Sequence, residues 1–147
     1  MTIPSTGSVC KPVSGIVDCG GARIRAHYRH LATVVTIRGE IDAVNVDQVS
    51  EYVRRFVLGD NPIVLDLSAL DHFSSAGLGL LCVLDEECRA ADVEWVVVAN
   101  AIINVLLGEP DEVAFPVATS VHGALRNLAD AITWRRQVVL PLVKKSA

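Results

Sequence analysis

The sequence predicts an α/β layer fold: a mixed β-sheet with helices packed mainly on one face. Three observations carry that prediction. Residues 63–67 and 95–98 are short apolar runs rich in β-branched side chains, with the length of buried strands. Apolar positions also recur at helical spacing, at Val46, Val49, Val53, Phe56 and Val57 and again at Leu78, Leu81 and Leu84. Finally, the two kinds of pattern alternate along the chain, as they do where crossover helices cover a sheet with parallel strands.

The totals agree with one folded domain. The chain has 147 residues, near the common domain size, with 51% apolar and 20% charged residues, a balance that argues against disorder. Residues 1–20 contain Pro4, Gly7, Pro12, Gly15 and Gly20 and read as a flexible leader with room for one short strand. Residues 21–132 hold the periodic segments and read as the domain, and residues 133–147 as a basic tail. The net charge is −4, while Arg135, Arg136, Lys144 and Lys145 stand in the tail without an acid, which leaves −8 for the rest. That balance gives no basic footprint for direct nucleic-acid binding.

No basic and apolar secretory start is visible, and the most apolar stretch, residues 93–107, is interrupted by Glu94, Asn100 and Asn104. The expected location is the cytoplasm, without stable membrane insertion.

Taken in order, Arg23 to Tyr28 alternate with period two, and His30-Leu31 connects them tightly to a second strand over residues 32–37, as in a hairpin. Gly39-Glu40-Ile41-Asp42 reads as the end of that strand. Asn45 is the expected N-cap of the first long helix, which Gly59-Asp60-Asn61-Pro62 stops. The strand at 63–67 and a helix opening at Ser75 come next, then the strand at 95–98. Residues 102–107 form a short helix closed by Gly108. Residues 113–117 read as an edge strand because of Pro116. Ser120 begins a last helix with Val121, Ala124, Leu125, Leu128 and Ile132 inward. The segment from Trp134 to Lys145 reads as a strand or a basic amphipathic piece.

Cys10, Cys19, Cys82 and Cys88 lack zinc-finger or thioredoxin spacing. Cys82 and Cys88 are assigned to helix packing. Cys10 and Cys19 could cross-link on oxidation, although a reducing compartment disfavours a permanent disulfide. His27, His30, His72 and His122 show no metal-ligand spacing. No nucleophile elbow, glycine-rich phosphate loop or paired acidic motif is present. The expectation is a non-enzyme without cofactor or metal.

Most of the functional signal lies in residues 62–84. There a buried strand hands over, through a polar turn, to Ser74-Ser75-Ala76-Gly77-Leu78 at a helix start. A hydroxyl beside unpaired backbone N–H groups would suit a phosphate or a closely apposed partner. Ser75 could equally be a simple N-cap, and Asp42 a turn residue bonding its own backbone. Gly39 supplies a permissive turn, whereas Gly77 and Gly79 would let a partner's backbone approach.

With the elements in this order, the chain resembles the STAS domain family over residues 23–131, and within it the bacterial anti-sigma factor antagonists. Gly39-Glu40-Ile41-Asp42 resembles the family's Gly-Glu-Leu-Asp turn, and Val64-Leu65-Asp66-Leu67-Ser68 its third strand. Ser74-Ser75-Ala76-Gly77-Leu78 stands where the family has Asp-Ser-Ser-Gly-Leu or Asp-Ser-Thr-Gly-Leu. The resemblance implies a STAS-like fold and an anti-sigma factor partner that is a GHKL-type serine kinase. Binding would release a sigma factor, and phosphorylation would end it. Matched residue by residue, the phospho-acceptor position is Ser75, with Ser74 in place of the aspartate and Ala76 in place of the second hydroxyl.

The implied partner surface comprises Gly39, Asp42, Ser74, Ser75, Ala76, Gly77 and Leu78. Losing the aspartate and holding four cysteines also fits an alternative, a STAS interaction scaffold without phospho-regulation, constitutive or redox-gated. A homodimer is compatible with either reading.

Overall fold

The computed structural model describes residues 11–13, 15–29, 32–59, 61–108 and 115–146. Strands β1 (Lys11–Val13), β2 (Ile16–Cys19), β3 (Ala22–Arg29) and β4 (Ala32–Ile41) form an antiparallel meander. Helix α1 (Val46–Val57) crosses to β5 (Ile63–Asp66), which lies parallel to β4. A short strand, β6 (Leu70–Phe73), runs parallel to the far end of β4. Helix α2 (Gly77–Ala91) leads to β7 (Trp95–Val98), parallel to β5. Helix α3 (Ala101–Leu107) precedes β8 (Val117–Ala118), parallel to β7. Helix α4 (Val121–Ser146) ends the described chain. The sheet is mixed, as expected.

Alternation along the strands gives the sheet two apolar faces. Val35, Ile37, Leu65 and Val97 face a large core completed by α1, α2 and Ile103 of α3. Ala32, Val34, Val64, Val96 and Val98 face the other way, where Ala124 and Leu128 of α4 cover them. Three helices thus share one face and the fourth lies on the other. In α1, Val49, Val53 and Val57 are buried, with Phe56 packed against the same core.

Several local expectations need correction. Within the span read as a leader, residues 16–19 form β2, with Val17 and Cys19 buried against the sheet through pairing with β3. Residues 1–10 lie outside the described ones. Cys19 is disulfide-bonded, the cross-linked state that oxidation allows and a reducing compartment is expected to disfavour.

The second hairpin strand does not stop at Gly39. It continues to Ile41, with Gly39 at φ +95° inside a register shift against β6. The strand expected at 113–117 is confined among described residues to Val117–Ala118, while residues 109–114 lie outside them. The tail is neither a strand nor a separate element, since α4 runs unbroken to Ser146.

Cys82 is exposed, so the packing role assigned to it fails, whereas Cys88 is buried. The buried arc of α2 is Gly77, Leu80, Leu81, Leu84 and Cys88. Cys82 sits about 100° round the helix from Leu81, outside that arc.

Candidate partner-docking site

Parallel pairing of β4 with β6 places Glu40 opposite His72 and Ile41 opposite Phe73. The two stretches that follow these strands therefore emerge side by side at the C-terminal edge of the sheet, where open α/β folds hold their ligands. The backbone N–H of Ser74 donates to the carbonyl of Ile41 at 3.0 Å, locking one stretch to the other. In this way the fold brings Asp42 beside Ser74, Ser75 and Ala76, whereas Gly39 stays inside β4, paired with Ala22 and Leu70, and Leu78 packs in part against the main core.

Asp42 organises the first stretch. Its Oδ1 accepts from the N–H groups of Val44 at 2.9 Å and Asn45 at 3.1 Å. Asn45 stands at the N-cap position of α1 but makes no side-chain cap bond. Instead the fully buried amide works backwards. Its Oδ1 accepts from the Asp42 N–H at 2.9 Å, while Nδ2 donates to the carbonyls of Cys19, Gly20 and Glu40. Asn45 thus clamps the β2–β3 turn to the loop after β4. No sequence signal separates this role from capping, because both place asparagine just before a helix.

The second stretch differs from expectation in its donors. Ser74 Oγ accepts from the Ala76 N–H at 3.3 Å. The N–H groups of Gly77, Leu78 and Gly79 donate to the carbonyls of Ser74, Ser75 and Ala76 at 2.8, 3.1 and 3.1 Å. These short-range bonds tighten the first turn and use the donors that an anion would need. The helix start is therefore not a ready anion cradle, and Ser75 is not its N-cap; that position is Ala76. Ser75 is exposed, and its hydroxyl has no hydrogen bond among the described residues, whereas Ser74 is half-buried.

The two motif glycines serve the fold in different ways. A Cβ on Gly39 would lie 2.2 Å from the Gly21 carbonyl oxygen, and one on Gly77 would lie 2.4 Å from the Phe73 ring. Gly77 is buried, so its small size accommodates the chain's own phenyl ring and not a partner's backbone. Gly79 is exposed, and a Cβ added there would meet nothing within 4 Å.

Gly79 opens onto a groove of about 400 Å³ between α1 and α2, lined by Val46, Ser50, Ala76 and Val83 among others. Sequence reasoning missed this groove because its walls come from two helices far apart in the chain. Val44, 86% exposed in the loop between Asp42 and Asn45, is a further apolar contact on the same edge.

The electrostatics are one-sided. Residues 39–53 and 56–88 contain no lysine or arginine, and Glu40, Asp42, Asp47, Asp66 and Asp71 stand near the strand ends. A complementary surface would be basic or apolar, not acidic. Among the described residues no cluster of three or more His, Cys, Asp or Glu is arranged to hold a metal ion.

The sequence matches the STAS domain over residues 23–101. Osmosensory protein A of Mycobacterium tuberculosis is 60% identical over 155 aligned positions, spanning 99% of this chain and 98% of its own. An anti-sigma factor antagonist from Mycobacterium paratuberculosis is similar in structure, with a TM-score of 0.61 and 26% identity, covering 71% of this chain and 91% of that one. RsbS of Moorella thermoacetica shares the fold at a TM-score of 0.61 and 18% identity, covering 75% of this chain and 97% of its own.

Proposed function

This chain belongs to the STAS domain family, and from that premise we propose that it is a cytoplasmic anti-sigma factor antagonist. It binds an anti-sigma factor that is a GHKL-type serine kinase, thereby frees a sigma factor for transcription, and is released when Ser75 is phosphorylated. The observation that carries this reading is the meeting of the two motif stretches on one acidic edge, with the Ser75 hydroxyl exposed between them. The similarity to an anti-sigma factor antagonist of Mycobacterium paratuberculosis supports the partner class. The kinship with Osmosensory protein A supports osmotic state as the input.

Ser75 suits a switch because nothing in its surroundings holds it. A phosphate there adds nearly two negative charges and three acceptor oxygens to an edge rich in carboxylates, where Arg54 of the adjoining groove is already paired with Glu87. Docking over Ser75 would require that charge to lose water, at a cost of several kcal/mol.

The test is titration calorimetry against the kinase recovered by pull-down from the native cytoplasm. Each 1.4 kcal/mol is a factor of ten, so Ser75→Glu should weaken binding by about 100-fold or more. Ser75→Ala should leave it within about tenfold, since it removes only an unbonded hydroxyl. Incubation of the complex with ATP should place a phosphate on Ser75 by mass spectrometry. Equal affinity of wild type and Ser75→Glu would remove Ser75 from the interface.

The alternative, a redox-gated scaffold, is favoured by one observation. The disulfide-bonded Cys19 offers its carbonyl to Asn45, the same side chain that holds Asp42. On that reading the affinity follows the reductant and not the state of Ser75.

A further inference from the structure

Helix α4 becomes more exposed towards Trp134. Ala124 and Leu128 are buried against the sheet and Ile132 is half-buried, but Thr133 and Trp134 are exposed, Trp134 to 65%. The helical backbone nevertheless continues to Ser146. From Trp134 to Ser146 it adds about 18 Å. Ala131 shares a cleft with Val93 and Trp95, at the start of β7. The helix therefore passes the N-terminal ends of the parallel strands at Ala131, opposite Ser75.

The sequence of this last stretch is unlike the rest of the chain. Val121, Ala124, Leu125, Leu128 and Ile132 define the stripe that meets the sheet. Carried on at 3.6 residues per turn, the same register passes Arg135 and Arg136 and then brings in Val139, Leu142 and Val143. With Val138 and Leu140 they make an apolar section too short to span a bilayer. Arg135 and Arg136 stand before it, and Lys144 and Lys145 after it, with no acid in residues 134–147.

Charge decides what can cover this section. A second copy of residues 134–146 would bring four more cations and no carboxylate to pair with them. An anionic lipid surface meets both requirements, with phosphates for the flanking cations and the acyl boundary for the apolar middle. Exposed Trp134 adds the aromatic side chain that favours the headgroup level. We propose that residues 134–146 bind an anionic lipid surface, the helix lying in its plane. The remaining chain, at −8, is repelled by such a surface, so the tail holds it while the Ser75 edge faces away.

The full chain is mixed with vesicles of phosphatidylglycerol or of phosphatidylcholine and sedimented at low and high salt. Binding is expected to phosphatidylglycerol alone and to weaken with salt. Combined Arg135→Glu, Arg136→Glu, Lys144→Glu and Lys145→Glu should lower vesicle affinity at least tenfold, with thermal melting of the variant checking that the domain still folds. The two tryptophans provide a second readout. Trp95 is 5% exposed and already shielded, so a blue shift on vesicle addition reports Trp134. Equal binding to both lipids, or none at low salt, would overturn the proposal. A dimer that disappears on truncation after Thr133, with no vesicle binding, would overturn it in favour of a second copy.

Discussion

Two glycines on α2, Gly77 and Gly79, should respond to alanine with opposite signs. In a helix, alanine is favoured over glycine by up to about 1 kcal/mol. At Gly79 nothing lies within 4 Å of an added Cβ, so Gly79→Ala should realise much of that gain. At Gly77 the Cβ would lie 2.4, 2.5 and 2.9 Å from three atoms of the Phe73 ring. Ordinary contact begins near 3.4 Å, so the ring would have to move by about 1 Å. Phe73 is 2% exposed within the main core and has little room to do so.

Overpacking of this kind costs about 1–3 kcal/mol. Set against the propensity gain, Gly77→Ala should lose about 1–2 kcal/mol. Thermal unfolding by circular dichroism reads both changes, at about 4 °C per kcal/mol for a domain of this size. Phe73→Leu should relieve the Gly77→Ala penalty in the double variant, relative to its cost alone. A Gly77→Ala protein at least as stable as wild type would refute the account of why glycine stands there. Gly79→Ala carries a functional corollary as well. If the partner lies in the α1–α2 groove, the stabilised variant should bind it more weakly.

Asn45→Ala removes a buried amide that serves three carbonyls and one N–H, and should cost about 2–4 kcal/mol in denaturant unfolding; a loss under 1 kcal/mol would mean that water replaces the clamp. Gly39→Ala combines a φ of +95° with a Cβ 2.2 Å from the Gly21 oxygen and should fail to fold or lose several kcal/mol, as read by soluble yield and melting. Cys82, exposed on α2, should be alkylated rapidly by iodoacetamide, whereas Cys88 should react only after unfolding, as mass spectrometry of the native and denatured chain would reveal. Burial first, then the carboxylates of Asp85, Glu87 and Glu94, push the Cys88 thiol up to about 12. The unfolded thiol ionises near 8.5, so the stabilising contribution is complete below about pH 8.5 and is lost as pH rises towards the folded value, a slope that Cys88→Ala should reduce.

The strands at 63–66 and 95–98 and the helix at 46–57 were legible because each carries its own periodicity over a full length. What escaped had too few residues to show a period. In β6 the order Leu70-Asp71-His72-Phe73 buries only its two ends. In β2 only Val17 and Cys19 face inward, in a segment whose glycines and prolines read as a leader. Gly39 misled in a different way. A glycine after an apolar run looks like a stop, but its left-handed φ carries β4 through a bulge to Ile41. The candidate site residues came from family spacing. Their roles were not legible, because whether a glycine faces a partner or a phenyl ring depends on contacts that spacing does not encode.

These contacts also restrict how a switch at Ser75 can act. The loop that holds it is fixed at both ends: Ser74 bonds Ile41, and Gly77 packs under Phe73. The neighbouring loop is fixed by Asp42 and Asn45 to strands on the far side of the turn. Arg54, which lines the adjoining groove with Ala76, is already paired with Glu87 and so is not free to draw a phosphate inward and remodel the turn. On the proposed reading, phosphorylation therefore works through charge and bulk added to a rigid surface, not through an order–disorder transition. On the same reading, Ser74 in the place of an aspartate keeps the local turn. Its hydroxyl still accepts from the Ala76 N–H, and the missing charge is one among several on that edge.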